Sequence, residues 1–216
     1  MNFGFSEEQE LLRAQVRKLL DERSPLPEVR RVAETPEGYS RELWKELAEL
    51  GWLGLIVPER FGGAGLDWID WVVLLEETGR SLFPSPLISN TLAAVALLEG
   101  GSPAQQRRWL PRLVDGSAIG TLALLEESDE PAPSGVALRA ESAGEGFVLR
   151  GAKRFVPETG RADLFVVAFR AGDAPSGCTL ALVEAGAPGV ASEVVRTIDE
   201  TQRSGTLRLE GVQVGP

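Results

Sequence analysis

The chain has 216 residues, 43% of them hydrophobic, with 32 acidic side chains against 22 basic ones for a net charge of −10; this suits one large or two small globular domains with a sizeable core. The deficit is shared, −5 over residues 1–117 and −5 over 118–216, so neither half offers the basic face that nucleic acid or an anionic membrane requires. With no histidine and one cysteine, the chain by itself excludes Ser-His-Asp and Cys-His nucleophile systems, histidine-ligated zinc or iron, and a disulfide framework.

From the N-terminus, Met1-Asn2-Phe3-Gly4-Phe5 lacks the basic region and apolar stretch of a signal peptide. No apolar run reaches the roughly 20 residues that span a bilayer, so the expected location is the cytoplasm, with no membrane insertion. Ser6-Glu7-Glu8-Gln9 reads as a capping box, and Leu12, Val16 and Leu19 follow at helical spacing, predicting a helix over about 6–22. Ser40 caps a second predicted helix, buried along Leu43, Leu47 and Leu50 and stopped by Gly51. Asp67 caps a third that is apolar almost all round. Residues 87–98 suggest another, and Ser102-Pro103-Ala104-Gln105 starts a helix that Pro111 is expected to limit.

Near Gly116 the runs shorten and begin to alternate, and all five tryptophans lie before it. The expected organisation is a helical domain over 1–117 and a strand domain over 118–216. Val136, Leu138 and Ala140 face one way and Arg139 and Glu141 the other, Gly144-Glu145-Gly146 turns the chain, and Phe147-Val148-Leu149 completes a hairpin. Further strands are expected at 118–125, 163–170, 178–184, 189–195 and 205–214. Helices before strands give an α+β chain, an N-terminal α-helical bundle followed by an antiparallel β-barrel-like domain.

Read for chemistry, four features stand out, each with a plain structural explanation. Gly62-Gly63-Ala64-Gly65 fits neither a phosphate loop nor a dinucleotide fingerprint, and a structural turn is the leading reading. The acidic run Glu126-Glu127-Ser128-Asp129-Glu130 reads as a solvated loop rather than a cation site. Arg139, Arg150, Lys153 and Arg154 read as a solvent face, with an anion contact as the alternative. Cys178 heads an apolar run and is expected to be a small buried hydrophobe.

The run from Glu42 to Leu55, then Val57-Pro58-Glu59 and Gly62-Gly63-Ala64-Gly65-Leu66, resembles the N-terminal helical domain of the acyl-CoA dehydrogenase family. Gly151-Ala152-Lys153-Arg154-Phe155-Val156, Ala162-Asp163, Ala187-Pro188-Gly189-Val190 and Leu209-Glu210-Gly211-Val212-Gln213-Val214 resemble that family's middle domain. The resemblance covers essentially the whole chain in order. It implies α,β-dehydrogenation of acyl-CoA thioesters with FAD as hydride acceptor, a homo- or hetero-oligomer, and an electron-transfer flavoprotein as the usual redox partner. It also implies that the catalytic glutamate and much of the FAD clamp come from a C-terminal helical domain absent from these 216 residues, so no catalytic residue is assigned here.

The residues that the resemblance places at the flavin are Leu124, Leu125, Phe155, Val156 and Pro157. Two depart from the family pattern: Leu125 stands where a threonine is usual, and Pro157 stands where a hydroxyl residue is usual and brings no N–H. The readings left open are an active dehydrogenase or part of one, a non-catalytic partner subunit of a mixed assembly, and an acyl-CoA-binding module without redox chemistry.

Overall fold

The computed structural model describes residues 4–144, 146–171 and 177–215. Among these residues six α-helices come first: α1 (Glu7–Arg23), α2 (Leu26–Ala33), α3 (Arg41–Glu49), α4 (Trp68–Arg80), α5 (Leu87–Gly100) and α6 (Pro103–Val114). Capping boxes begin α1 at Ser6 and Gln9, α4 at Asp67 and Asp70, and α6 at Ser102 and Gln105, and the Ser40 side chain caps α3. Each satisfies backbone N–H groups that a helix start leaves unpaired. Helix α2 is not among the helices expected from the sequence: its cap position is Pro25, which brings no side-chain hydrogen bond, and it has only eight residues. Pro111 does not end α6, which continues to Val114. An internal proline costs about 3 kcal/mol, but Trp109, Leu110, Leu113 and Val114 are all buried, at about 1.5–3 kcal/mol for a fully buried large apolar side chain.

Seven strands follow among the described residues: β1 (Gly120–Ala123), β2 (Ala140–Ala143), β3 (Gly146–Pro157), β4 (Leu164–Arg170), β5 (Cys178–Glu184), β6 (Val190–Val195) and β7 (Ser204–Val214). They form two sheets, ordered β1-β4-β5 and β2-β3-β7-β6. The expected α+β class and strand-rich second half are observed. Every strand pair is antiparallel except β1–β4, which is parallel. That exception follows from topology, because the chain between them runs through β2 and β3 in the other sheet, and a long crossover suits a parallel pair.

Strand β4 is buried on both faces. Leu164 and Val166 join Ala93, Leu97, Leu110 and Leu113 of α5 and α6 in one core. Phe165, Val167 and Phe169 face the other way, into a core shared with Leu149, Val156, Leu207 and Leu209 of the second sheet. Alternation is invisible in such a strand's sequence because both neighbours are apolar. Cys178, expected to be buried, is only partly so, at the start of β5. Among the described residues no helix is long and apolar enough to cross a membrane.

Candidate functional site

The Gly62–Gly65 loop folds back on the segment before it. The N–H groups of Ala64, Gly65 and Leu66 donate to the carbonyls of Gly54, Val57 and Leu55 at 3.0, 2.9 and 2.9 Å. A Cβ on Gly63 would sit 1.9 Å from the Val57 carbonyl oxygen, so close backbone packing explains this glycine without a ligand.

A cleft opens where β3 meets β7. The ladder pairs Lys153 with Leu207, Val156 with Gly205 and Pro157 with Ser204. Arg154 and Phe155 therefore stand together opposite Thr206, a bulge that bends β3 and re-aims its side chains. Phe155 absorbs the distortion with φ +50°, a left-handed conformation uncommon for a bulky residue. Its ring is thrown outward and is 60% exposed.

Phe155 lines a 340 Å³ cleft with Arg154, Val195, Ser204 and Thr206, bounded by Glu126 and Glu127. Val156 points inward and is 1% exposed, so its side chain belongs to the core. Pro157 is exposed at the strand end. Leu124 and Leu125 are half-buried and reach the site through their backbone. The Leu125 carbonyl accepts the Arg154 N–H at 2.8 Å, and the Leu124 carbonyl accepts from Lys153 Nζ at 3.1 Å. The segment after β1 is thereby stitched to the bulge, which brings the five sequence-derived positions to one neighbourhood.

The stitching depends on an ion pair that differs from expectation. Lys153, read as part of a solvent face, is wholly buried, and its Nζ donates to Glu126 Oε1 at 2.6 Å. Burial pushes the Lys153 amine below its ordinary range, while the bond to Glu126 opposes that shift. Glu126, read as part of a solvated acidic loop, also accepts the N–H groups of Ala137 and Leu138 at 3.1 and 3.0 Å. Elsewhere in the run, Glu130 accepts only its near neighbour's N–H, from Ala132 at 3.0 Å, among the described residues, and Glu127 is exposed and accepts from Arg154 Nη2 at 3.1 Å.

Arg154 Nη1 donates to Thr206 Oγ1 at 3.2 Å, which orients a hydroxyl that sequence reasoning did not single out. Ser204 was missed likewise. Its signal lies only in the pairing register, since 47 positions of chain separate it from Pro157. Beyond the bulge, Glu158 is buried with φ +59° and pairs with Arg161. Burial pushes its carboxyl up, against the pull of Arg161.

The arrangement is an outward aromatic wall, flanked by an aliphatic side chain, two hydroxyls and a guanidinium, with the paired carboxylates of Glu126 and Glu127 at its border. Such a cleft suits a planar, partly apolar ring with hydrogen-bonding edges. It contains no nucleophile with an adjacent base among the described residues.

The family model "Acyl-CoA dehydrogenase, N-terminal domain" matches residues 6–117. A mitochondrial isovaleryl-CoA dehydrogenase from Pongo abelii is 34% identical over 194 residues, which are 86% of this chain and 46% of that protein. Among solved structures, the ChsE4-ChsE5 complex from Mycobacterium tuberculosis is similar with a TM-score of 0.88 and 31% identity, over 100% of this chain and 57% of that one. A glutaryl-CoA dehydrogenase from Mycobacterium smegmatis, solved in complex with FADH2, gives a TM-score of 0.87 at 27% identity, over 98% of this chain and 54% of its own. The chain thus spans about half the length of the relatives it matches.

Proposed function

The chain belongs to the acyl-CoA dehydrogenase family, and from that premise we propose that it forms the middle-domain wall of an FAD site serving α,β-dehydrogenation of acyl-CoA thioesters. The observation that carries the reading is the outward Phe155 ring on a β3 bulge, lining a cleft with hydroxyl and guanidinium groups. Bound there, FAD supplies an acceptor for the substrate's β-hydride.

The chain's own residues do three things in this reading. Phe155 and Val195 present apolar surface that excludes water from one side of the ring. The backbone of Leu124 and Leu125, held by Lys153 and Arg154, fixes the edge where polar groups meet it. Arg154, held by Glu127 and Thr206, would present guanidinium N–H donors at the edge of the ring. Residues 1–216 are assigned no proton-abstracting base; the reading takes that glutamate from the C-terminal helical domain that the family resemblance implies. Its substrate is an acyl-CoA, its assembly a homo- or hetero-oligomer, its redox partner an electron-transfer flavoprotein and its compartment the cytoplasm.

A second reading, a non-catalytic partner subunit, is favoured by Leu125 and Pro157, which remove two hydroxyls expected at the ring, and draws on the two-component ChsE4-ChsE5 complex among the similar structures. Visible absorbance of the purified protein separates the two. Flavin bands that persist through gel filtration support the first reading; their absence after reconstitution with excess FAD moves the assignment to the second.

A further inference from the structure

Pro157 stands where the family resemblance expects a hydroxyl, yet the hydrogen-bonding edge of the cleft is not bare. Pro157 pairs directly with Ser204 across the β3–β7 ladder, and Ser204 pairs on its other side with Val195 of β6. Directly opposed residues of antiparallel strands project to the same face, with Cβ atoms about 4.5–5.5 Å apart. Pro157, Ser204 and Val195 therefore form one row across three strands, on the face opposite buried Val156. Phe155 and Thr206 make the neighbouring row.

Ser204 and Val195 both line the Phe155 cleft. Ser204 is partly exposed, and among the described residues its hydroxyl has no hydrogen-bond partner. Thr206 differs, being almost wholly buried, with its oxygen engaged by Arg154. Ser204 thus offers an uncommitted donor one strand away from the position that lost one.

We propose that Ser204 supplies the flavin ring with the hydroxyl hydrogen bond that Pro157 cannot make. The inference rests on the FAD reading above and adds a binding residue to it. A structural role for Ser204 would be independent of what stands at 157, whereas a substituted donor has to be interchangeable with a hydroxyl there.

The test uses the full-length protein carrying this chain, its apoprotein titrated with FAD, and four variants: S204A, S204T, P157T and S204A/P157T. One neutral hydrogen bond corresponds to an affinity change of about 3–10-fold. S204A is expected to weaken FAD binding by about that factor and to shift the flavin's visible bands. S204T keeps the hydroxyl and is expected to keep the affinity. P157T alone is expected to change affinity less than about 2-fold, but in the S204A background to restore it. Circular dichroism checks that each variant is folded. Unchanged affinity in S204A, or a loss that P157T does not restore, overturns the role of Ser204 while leaving the FAD reading intact. A wild-type protein that binds no FAD overturns both.

Discussion

Asn90 Oδ1 accepts the backbone N–H of Gly120 at 3.0 Å, while the same side chain's Nδ2 donates to the Leu113 carbonyl at 2.9 Å. One fully buried amide in α5 thereby ties the end of α6 to the first residue of β1, across the seam between helices and strands. Both partners are buried main-chain groups, and an unpaired buried donor or acceptor costs about 1–3 kcal/mol.

Replacing Asn90 by leucine, which keeps four side-chain heavy atoms and the branch at Cγ but has no polar atom, leaves both backbone groups unpaired. The expected loss is about 2–4 kcal/mol of unfolding free energy, read as a lower denaturation midpoint with an unchanged slope. A loss below about 0.5 kcal/mol would mean that water replaces the amide.

The Lys153–Glu126 pair makes an asymmetric prediction. Glu126→Ala leaves a wholly buried amine without its carboxylate and is expected to cost about 3–5 kcal/mol. The double variant Glu126→Leu/Lys153→Met removes both charges and is expected to recover part of that loss, since the Leu138 N–H and the Leu124 carbonyl stay unpaired. Chemical denaturation of both variants decides it, and a double variant no more stable than Glu126→Ala would refute the argument from desolvation.

Glu77, buried in α4, accepts from Arg17 at 2.7 and 2.9 Å and from Arg80 at 3.0 Å, joining α1 to α4. The Arg17 bonds, with Arg80 adding to them, hold the Glu77 carboxyl below its ordinary value of 4.5, against the effect of burial. A depressed folded-state pKa means that the stabilisation is present above about pH 4.5 and fades as pH falls through the folded value. Glu77→Gln is expected to cost about 1–3 kcal/mol at pH 7, with the gap to wild type closing on acidification. Glu158, pushed up by burial, acts with the opposite sign, holding its proton more tightly when folded. Measuring the difference between wild type and variant at each pH cancels that contribution, and a gap constant from pH 7 to 3 would contradict the assignment.

Leu125 has no counterpart to the cross-strand replacement proposed at Pro157. Leu125→Thr is expected to tighten FAD binding about 2–10-fold through one restored hydrogen bond, measured by titrating the apoprotein. Equal or weaker affinity in a folded variant would show that position 125 does not face the ring.

The sequence by itself determined the start of the capped helices, the positions of most strands and the family, because these signals are local. A capping box needs two residues three apart, a strand needs an apolar run, and the matched motifs are contiguous. Tertiary structure decided the rest. The parallel β1–β4 pair depends on where an intervening sheet packs, and Pro111 continues α6 because four buried neighbours outweigh a local penalty. Lys153 and Glu126 carried the sequence signature of solvated charges, and only the closure of β3 against the segment after β1 buried them together. Ser204 was unreadable for the same reason: the register that sets it beside Pro157 is fixed by which faces of β3 and β7 must enter the core, a condition that neither strand's residues express alone.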